Sequence, residues 1–350
     1  MHLSDLFLII KENPVLLLSY LLISGVITVN GWTDAPTAIA TCISSRTITP
    51  KKAIYLAAVM NFAGVFVMSQ FSGKVVSSIT HIADFGKDNK TAALAMCAAL
   101  FSIILWAVAS WFFGIPTSES HALIAALSGA AIAVNRTFNG INLSEWVKVI
   151  SGLFISAISG FLLGYIIVKI ISLFIRNSDK TKTDFYFINL QNLSAAFMAF
   201  MHGAQDGQKF IGVFLLLSSY FTKTDGTNDN IPLMLIIYCS ALMAIGTSIG
   251  GMRIIKSMGS DMIRLKKYQG FGADLAGAIS LLISTLTGLP VSTTHTKTTA
   301  IMGVGAAYRL SSVDWKIAKE MILTWILTFP GCGFLGYLIT AFFISIRVII

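Results

Sequence analysis

The stretch HGAQDGQK, His202 to Lys209, sits inside a long apolar run, Leu193 to Tyr220. It places an acid, a base, an imidazole and two carboxamides where lipid would be expected. The surroundings follow from composition. The chain has 350 residues, 55% of them hydrophobic and 12% charged, with a mean hydropathy of +0.78. That is above the apolar share of a soluble domain and marks an all-α polytopic membrane protein.

A helical span needs about 20 mostly apolar residues, and ten runs approach that. They are Val15 to Val29, Ala53 to Gln70, Thr91 to Phe113, Ala122 to Val134, Val147 to Ile175, Leu193 to Tyr220, Ile231 to Gly250, Ala273 to Leu289, Val291 to Ala307 and Met321 to Ile346. The fourth and ninth are short and polar at their starts, which reads as re-entrant hairpins or broken spans. The total expected is about 10–12 helices and hairpins. The first run follows Lys11, Glu12, Asn13 and Pro14, a helix start with no small-residue cleavage site, and reads as a retained span. Cys42, Cys97, Cys239 and Cys332 share no metal-ligand spacing and read as packing residues without a disulfide. The net charge of +9 lies in short loops between apolar runs. It therefore encodes orientation and gives no reason to expect nucleic acid as a partner.

A counterpart of HGAQDGQK occurs upstream as NGWTDAPT, Asn30 to Thr37, with the same Gly-x-x-Asp core. Each is followed by a proline-led polar cluster, Pro116-Thr-Ser-Glu-Ser-His121 and Pro290-Val-Ser-Thr-Thr-His295. The separation is 82 residues from Asp34 to Pro116 and 84 from Asp206 to Pro290. One unit is duplicated, as 1–175 and 192–350, around a short cytoplasmic linker, 176–191.

Loop charge orients the halves. Arg46, Lys51 and Lys52 follow the first copy without an acid, whereas Lys223 is accompanied by Asp225 and Asp229 after the second. The next pair of loops reverses. Lys74, Asp84, Lys87, Asp88 and Lys90 nearly cancel, while Arg253, Lys256, Arg264, Lys266 and Lys267 face Asp261 alone. The positive-inside rule then makes the repeats inverted, five spans each, with both termini outside. Inverted repeats give two conformations of similar energy that open one midplane site to opposite faces. Pro36, Pro116 and Pro290, with Gly31, Gly114, Gly203, Gly207 and Gly288, are expected to interrupt helices there and expose polar backbone.

Asp34 and Asp206 occupy matching places, and a carboxylate at membrane depth costs a few kcal/mol, so they read as holders of a cation or proton. Thr33, Thr37, Gln205 and Gln208 supply neutral oxygens suited to Na⁺ or an oxyanion, or else serve helix packing. Thr117, Ser118 and Ser120, like Ser292, Thr293 and Thr294, put hydroxyls and N–H groups where a helix begins. One such cluster reads equally as an N-cap; two at equivalent repeat positions favour a shared tetrahedral oxyanion. Glu119 carries a coupling proton or cation, or pairs with Lys209 or His121. His121, His202 and His295 lack metal-site spacing and read as hydrogen-bonded structural imidazoles. Lys209 either snorkels or faces the anion, and Asp274 either joins the cation site or sits near the interface.

The segments HGAQDGQKFIG, NGWTDAPTAIAT, GIPTSESHALI and GLPVSTTH, taken together and in order, strongly resemble the inorganic phosphate transporter (Pit) family, across essentially the whole chain. Its repeated signature has the form GANDxxN, with paired SSSH and STTH segments. The resemblance implies proton- or sodium-coupled phosphate symport across the plasma membrane, hairpins meeting at a central site, and a homodimer. It also implies coupling cations at Asp34, Asp206 and their neighbours, to which the reading of the residues adds Thr33, Thr37 and Glu119. Phosphate is implied at Ser118, Ser120, Ser292, Thr293 and Thr294, and the reading of the residues adds Gln205 and Gln208 as substrate-binding candidates. No cofactor is implied beyond bound Na⁺ or H⁺. The chain departs from the signature before the acid (Thr33, Gln205), after it (Thr37, Gln208) and at Glu119 in the first hairpin. Those departures leave the coupling ion open, although DGQK also occurs in bacterial members. Sulfate or a metal–phosphate complex is the nearest alternative substrate. A channel, or an intramembrane enzyme using Ser292 and His295, are readings of other classes; the sequence offers no nucleophile elbow or metal motif for the latter.

Overall fold

The computed structural model describes residues 14–114, 117–222, 231–256 and 265–349. Expectations resting on Lys11, Glu12, Asn13, Pro116, Lys223, Asp225, Asp229, Asp261 and Arg264 lie outside the described residues. Among those described, all ten apolar runs are helical. The first half contains α1 (Pro14–Thr33), a 3-10 turn (Ala35–Ile39), α2 (Ala40–Ser44), α3 (Pro50–Phe71), α4 (Lys74–Thr80), α5 (Asn89–Phe113), α6 (Glu119–Asn135) and α7 (Leu143–Ile175). The second contains α8 (Lys180–Thr222), α9 (Leu233–Ile249), α10 (Met252–Lys256), α11 (Lys267–Thr287), α12 (Thr293–Tyr308) and α13 (Trp315–Ile349).

The halves repeat one another element by element, and their packing is reciprocal. α1 packs on α9 while α8 packs on α3; α6 packs on α13 while α12 packs on α7. Burial obeys the same pairing: the most apolar windows of α5 and α11 are each 61% buried, those of α7 and α13 each 17%. The former line the interior. The latter turn apolar side chains such as Phe154, Ile158, Ile326 and Phe334 outward, as lipid-facing helices do. Among the described residues six segments are long and apolar enough to cross a bilayer, α9 is a shorter apolar helix of 17 residues, and α6 and α12 have 17 and 16 residues.

End contacts give the direction of each element. On one face, here the Asp84 face, the Tyr220 hydroxyl donates to Asp84 (3.2 Å) and accepts from the Phe85 amide (2.8 Å). There too Asn135 donates to the Asp84 carbonyl (2.8 Å), and the Asn142 amide bonds the Ile82 carbonyl. The opposite, Lys267 face holds the Lys267–Asp184 pair (3.8 Å) and Lys266 over the Tyr308 ring (4.8 Å). Thus α5 and α7 start at the Asp84 face, and α11 and α8, which match α5 and α1, start at the Lys267 face. The repeats are inverted.

Local chemistry explains the hairpins. Asp88 caps α5 by accepting from the amides of Lys90 and Thr91. α5 and α11 each end on a glycine with positive φ, Gly114 (+70°) and Gly288 (+78°), two positions before a proline. Only glycine takes that left-handed cap without strain, and the proline prevents the helix from resuming at once. The chain then restarts as α6 or α12 in mid-protein and runs back to its own face. The fourth and ninth apolar runs are therefore hairpin arms.

Two expectations are corrected. α1 does break at Asp34, where Ala35 and Pro36 tighten into the 3-10 turn, but α8 runs unbroken through HGAQDGQK. Gly203 and Gly207 do not expose backbone; they admit α3, at Asn61 and Val65. The linker expected at 176–191 is helical from Lys180 onward, which confines the break between α7 and α8 to a few residues after Ile175.

Glycine pairing also accounts for how the halves interlock. Gly64 of α3 lies on the Phe200 carbonyl of α8, and its equivalent Gly246 of α9 lies on the Thr28 carbonyl of α1. Lipid tails are as apolar as leucine, so helices in a bilayer associate through close packing of small residues. Gly64→Val should cost about 1–3 kcal/mol by overpacking, seen as a lower unfolding midpoint in detergent. Gly73→Ala, whose new carbon would meet only Ile231 at 3.9 Å, should leave it unchanged.

Candidate functional site

The N-termini of α6 and α12 meet head to head. The rings of His121 and His295, two residues into each helix, are 4.7 Å apart. Ser118 and Ser292 are the N-caps, each accepting the amide of its histidine at 3.2 Å. That satisfies one amide per tip. The amides of Glu119, Ser120, Thr293 and Thr294 have no partner within their own helices, because the first turn never does. Both helices thus present N–H groups and the positive ends of their dipoles to one place.

The two aspartates cross over. Asp34 of the first half accepts from Thr294 of the second half's hairpin. Asp206 of the second half accepts from Ser120 of the first half's hairpin (3.3 Å). Asp206 also accepts from Thr293 (3.3 Å) and Asn30 (3.4 Å), and His202 Nε2 lies 3.5 Å away. His202 is fixed by Asn61 Oδ1 at 2.8 Å, and Asn61 in turn donates to Thr247. Every one of these groups is buried.

Lys209 neither snorkels nor pairs with Glu119. It is 1% exposed and donates to Asp206 (2.7 Å), Ser120 (2.5 Å) and the Val291 carbonyl (2.5 Å). An ammonium held by a carboxylate, a hydroxyl and a carbonyl has the surroundings of a bound cation. Counting from the acids, the residue matching Thr37 is Lys209, three beyond Asp206, and not Gln208. The second half therefore carries a tethered cation where the first carries a hydroxyl.

The first half is arranged the other way. Thr33 donates to Glu119. Asp34 Oδ2, Glu119 Oε2, Thr37 Oγ1 and Asn30 Oδ1 are buried without a protein partner. Thr33, Asp34, Thr37 and Glu119 line one small cavity with Thr117, Ser110 and Trp111. Four of the five residues expected to couple a cation thus share a cavity. The fifth, Asp206, is already paired. Asp34, Asp206 and His202 also bring ligand atoms within 4.8 Å of one another, a grouping that sequence spacing concealed because His202 and Asp206 share one helix face and Asp34 comes from the other repeat.

Of the residues expected at the anion, Ser118 and Ser292 use their oxygens as caps. Ser120, Thr293 and Thr294 donate to the aspartates. The Gln205 amide is engaged at both ends, donating to the Leu289 carbonyl (2.8 Å) and accepting from Thr285 (2.6 Å), which ties α8 to the second hairpin. The Gln208 amide is buried with neither end partnered.

Two stretches of the chain, 30–189 and 175–336, match the sequence profile described as the phosphate transporter family. The chain belongs to the phosphate transporter family. It is 37% identical over 308 residues to a probable low-affinity inorganic phosphate transporter of Bacillus subtilis (strain 168), covering 88% of this chain and 91% of that one. A protein of the same description from Rhizobium meliloti (strain 1021) is 38% identical over 312 residues, 88% of this chain and 90% of that one. The fold matches a solved structure titled "The sodium-dependent phosphate transporter" with TM-score 0.84 at 19% identity, over 97% of this chain and 100% of that one. This member of the family is a multi-pass membrane protein, and its relatives carry transporter names rather than enzyme names.

Removing one partner of a buried ion pair strands the other charge, at a cost of about 3–5 kcal/mol. Lys209→Met should therefore destabilise the protein by about that much in detergent unfolding. Adding Asp206→Asn to the same chain should recover part of the loss.

Proposed function

We propose that this chain imports inorganic phosphate by symport with a cation, H⁺ or Na⁺, through alternating access between its inverted repeats. The observation that carries the reading is the head-to-head meeting of α6 and α12 beside Asp34 and Asp206. Two helix N-termini rich in hydroxyl and amide donors suit a tetrahedral oxyanion. Adjacent carboxylates accept hydrogen bonds, which monoprotonated phosphate can supply and sulfate cannot. The names of the relatives support the substrate class.

The coupling cation is assigned to the first half. Asp34 and Glu119 offer two carboxylates with unpartnered oxygens and, among the described residues, no lysine bonded to either, whereas Asp206 is bonded to Lys209. In this reading Lys209 does for the second half what the moving cation does for the first. The substrate passes from the Asp84 face to the Lys267 face. The basic residues Arg46, Lys51, Lys52, Arg253, Lys266 and Lys267 support a cytoplasmic Lys267 face by the positive-inside rule, and with it both termini outside. The protein works in the plasma membrane as a homodimer.

The test is uptake of radiolabelled phosphate into proteoliposomes under an inward Na⁺ gradient or an inward proton gradient, with excess sulfate as competitor. Accumulation is expected under one gradient and not the other, with little inhibition by sulfate; leak without a gradient, or sulfate uptake alone, would sink the reading. Glu119→Gln should reduce gradient-driven accumulation at least about tenfold, measured in the same assay, if Glu119 shares the cation.

A further inference from the structure

A second charged cluster lies outside the central site. Asp274 of α11 and Lys297 of α12 are both 0% exposed and paired, and Thr41 of α2 joins them. Thr41 donates to Asp274 (2.5 Å) and accepts from Lys297 (3.1 Å). Asp274 Oδ2 is buried without a well-formed hydrogen bond, and Ser194 of α8 stands beside the carboxylate. Lys297 is three residues beyond Thr294, about 4.5 Å along α12 at 1.5 Å per residue. Because α12 runs from the centre to the Lys267 face, the cluster sits about one helical turn beyond Thr294 toward that face.

The inverted repeat supplies an internal control. Thr41 is seven residues after Asp34; seven after Asp206 is Val213. Lys297 is three after Thr294; three after Ser120 is Leu123. Asp274 is 16 before Pro290; 16 before Pro116 is Leu100. Val213, Leu123 and Leu100 are all 0% exposed and belong to one apolar cluster. The same architectural position is thus filled with hydrocarbon toward the Asp84 face and with an ion pair toward the Lys267 face. A buried pair is often no more stabilising than well-packed apolar residues of similar size. The fold's own mate position makes the same point: packing there does not require charge.

We propose that Lys297 and Asp274 form a second station for the transported pair, on the Lys267 side of the central site. As that side opens, Lys297 exchanges Asp274 for the departing oxyanion, and Asp274 takes the accompanying cation. Each group is matched to one of the two co-transported species, and each neutralises the other while the station is empty. Thr41 comes from the first repeat and the pair from the second, so relative movement of the halves would open it. The station rests on the phosphate-symport reading above and adds a site to it.

The test uses inorganic phosphate and full-length protein in oriented proteoliposomes, with transport measured from each face. In Lys297→Met, KM for phosphate presented at the Lys267 face should rise about tenfold or more, the loss of one charge-assisted hydrogen bond. KM at the Asp84 face should stay within about twofold. The graft Thr41→Val, Asp274→Leu, Lys297→Leu reproduces a combination of residues the chain already packs, so it guards against misfolding of the single variant. It should remain monodisperse and bind phosphate in detergent, yet transport about tenfold more slowly. Wild-type KM at both faces, or wild-type transport by the graft, would reduce the cluster to packing and overturn the station. An equal rise of KM at both faces, or loss of phosphate binding by the graft, would place Lys297 in the central site and overturn it too. A wild-type protein that transports no phosphate would instead overturn the underlying reading, a failure visible before any variant is made.

Discussion

Two short helices, α6 and α12, point their N-termini at each other in the middle of this protein, and much of the interior answers to that arrangement. Each end carries about half a positive charge and several amides without helical partners. Bringing two such ends together in a membrane is tolerable only if negative groups stand between them. Asp34 and Asp206 are those groups, each from the half opposite to one of the hydroxyls it accepts from. The acids in turn need the tips, since a carboxylate at membrane depth requires donors around it. Neither repeat can meet the requirement alone, and this is a physical reason for the halves to interlock rather than sit side by side.

The frame is duplicated, but its contents have diverged. Thr37 faces Lys209, Glu119 faces Thr293, and Asn30 faces His202 in corresponding positions. The effect is to distribute charge unequally: two carboxylates with open oxygens in one half, a carboxylate bonded to a lysine in the other. The same inequality recurs one turn further on, where Thr41, Asp274 and Lys297 oppose Val213, Leu100 and Leu123. Backbone symmetry provides two conformations of comparable energy. Side-chain asymmetry gives the two faces different chemistry.

Gly31 and Gly203 occupy equivalent places, and both were expected to loosen their helices. Both instead seat a neighbouring helix, Gly31 against Met243 and Thr247, Gly203 against Asn61. The break at Asp34 comes with Pro36, which HGAQDGQK lacks. A glycine in an apolar run permits either outcome, and only the neighbour's position decides between exposure and close contact.

The duplication, the inverted orientation, the helix starts capped by Ser118 and Ser292 and the paired acids were all legible in the sequence, because each is a periodic or local property: spacing, loop charge and cap chemistry. The sequence also determined that polar groups inside apolar runs had to converge, since lipid offers them no partners. What tertiary structure alone decided was the partnering. That Lys209 bonds Asp206 rather than Glu119, that Asp34 reaches Thr294, that Gln205 ties α8 to the second hairpin, and that Asp274 meets Lys297 apart from the central site depend on contacts between elements far apart in the chain. Their geometry is set by how glycine-lined helices pack, and no spacing along the chain encodes it.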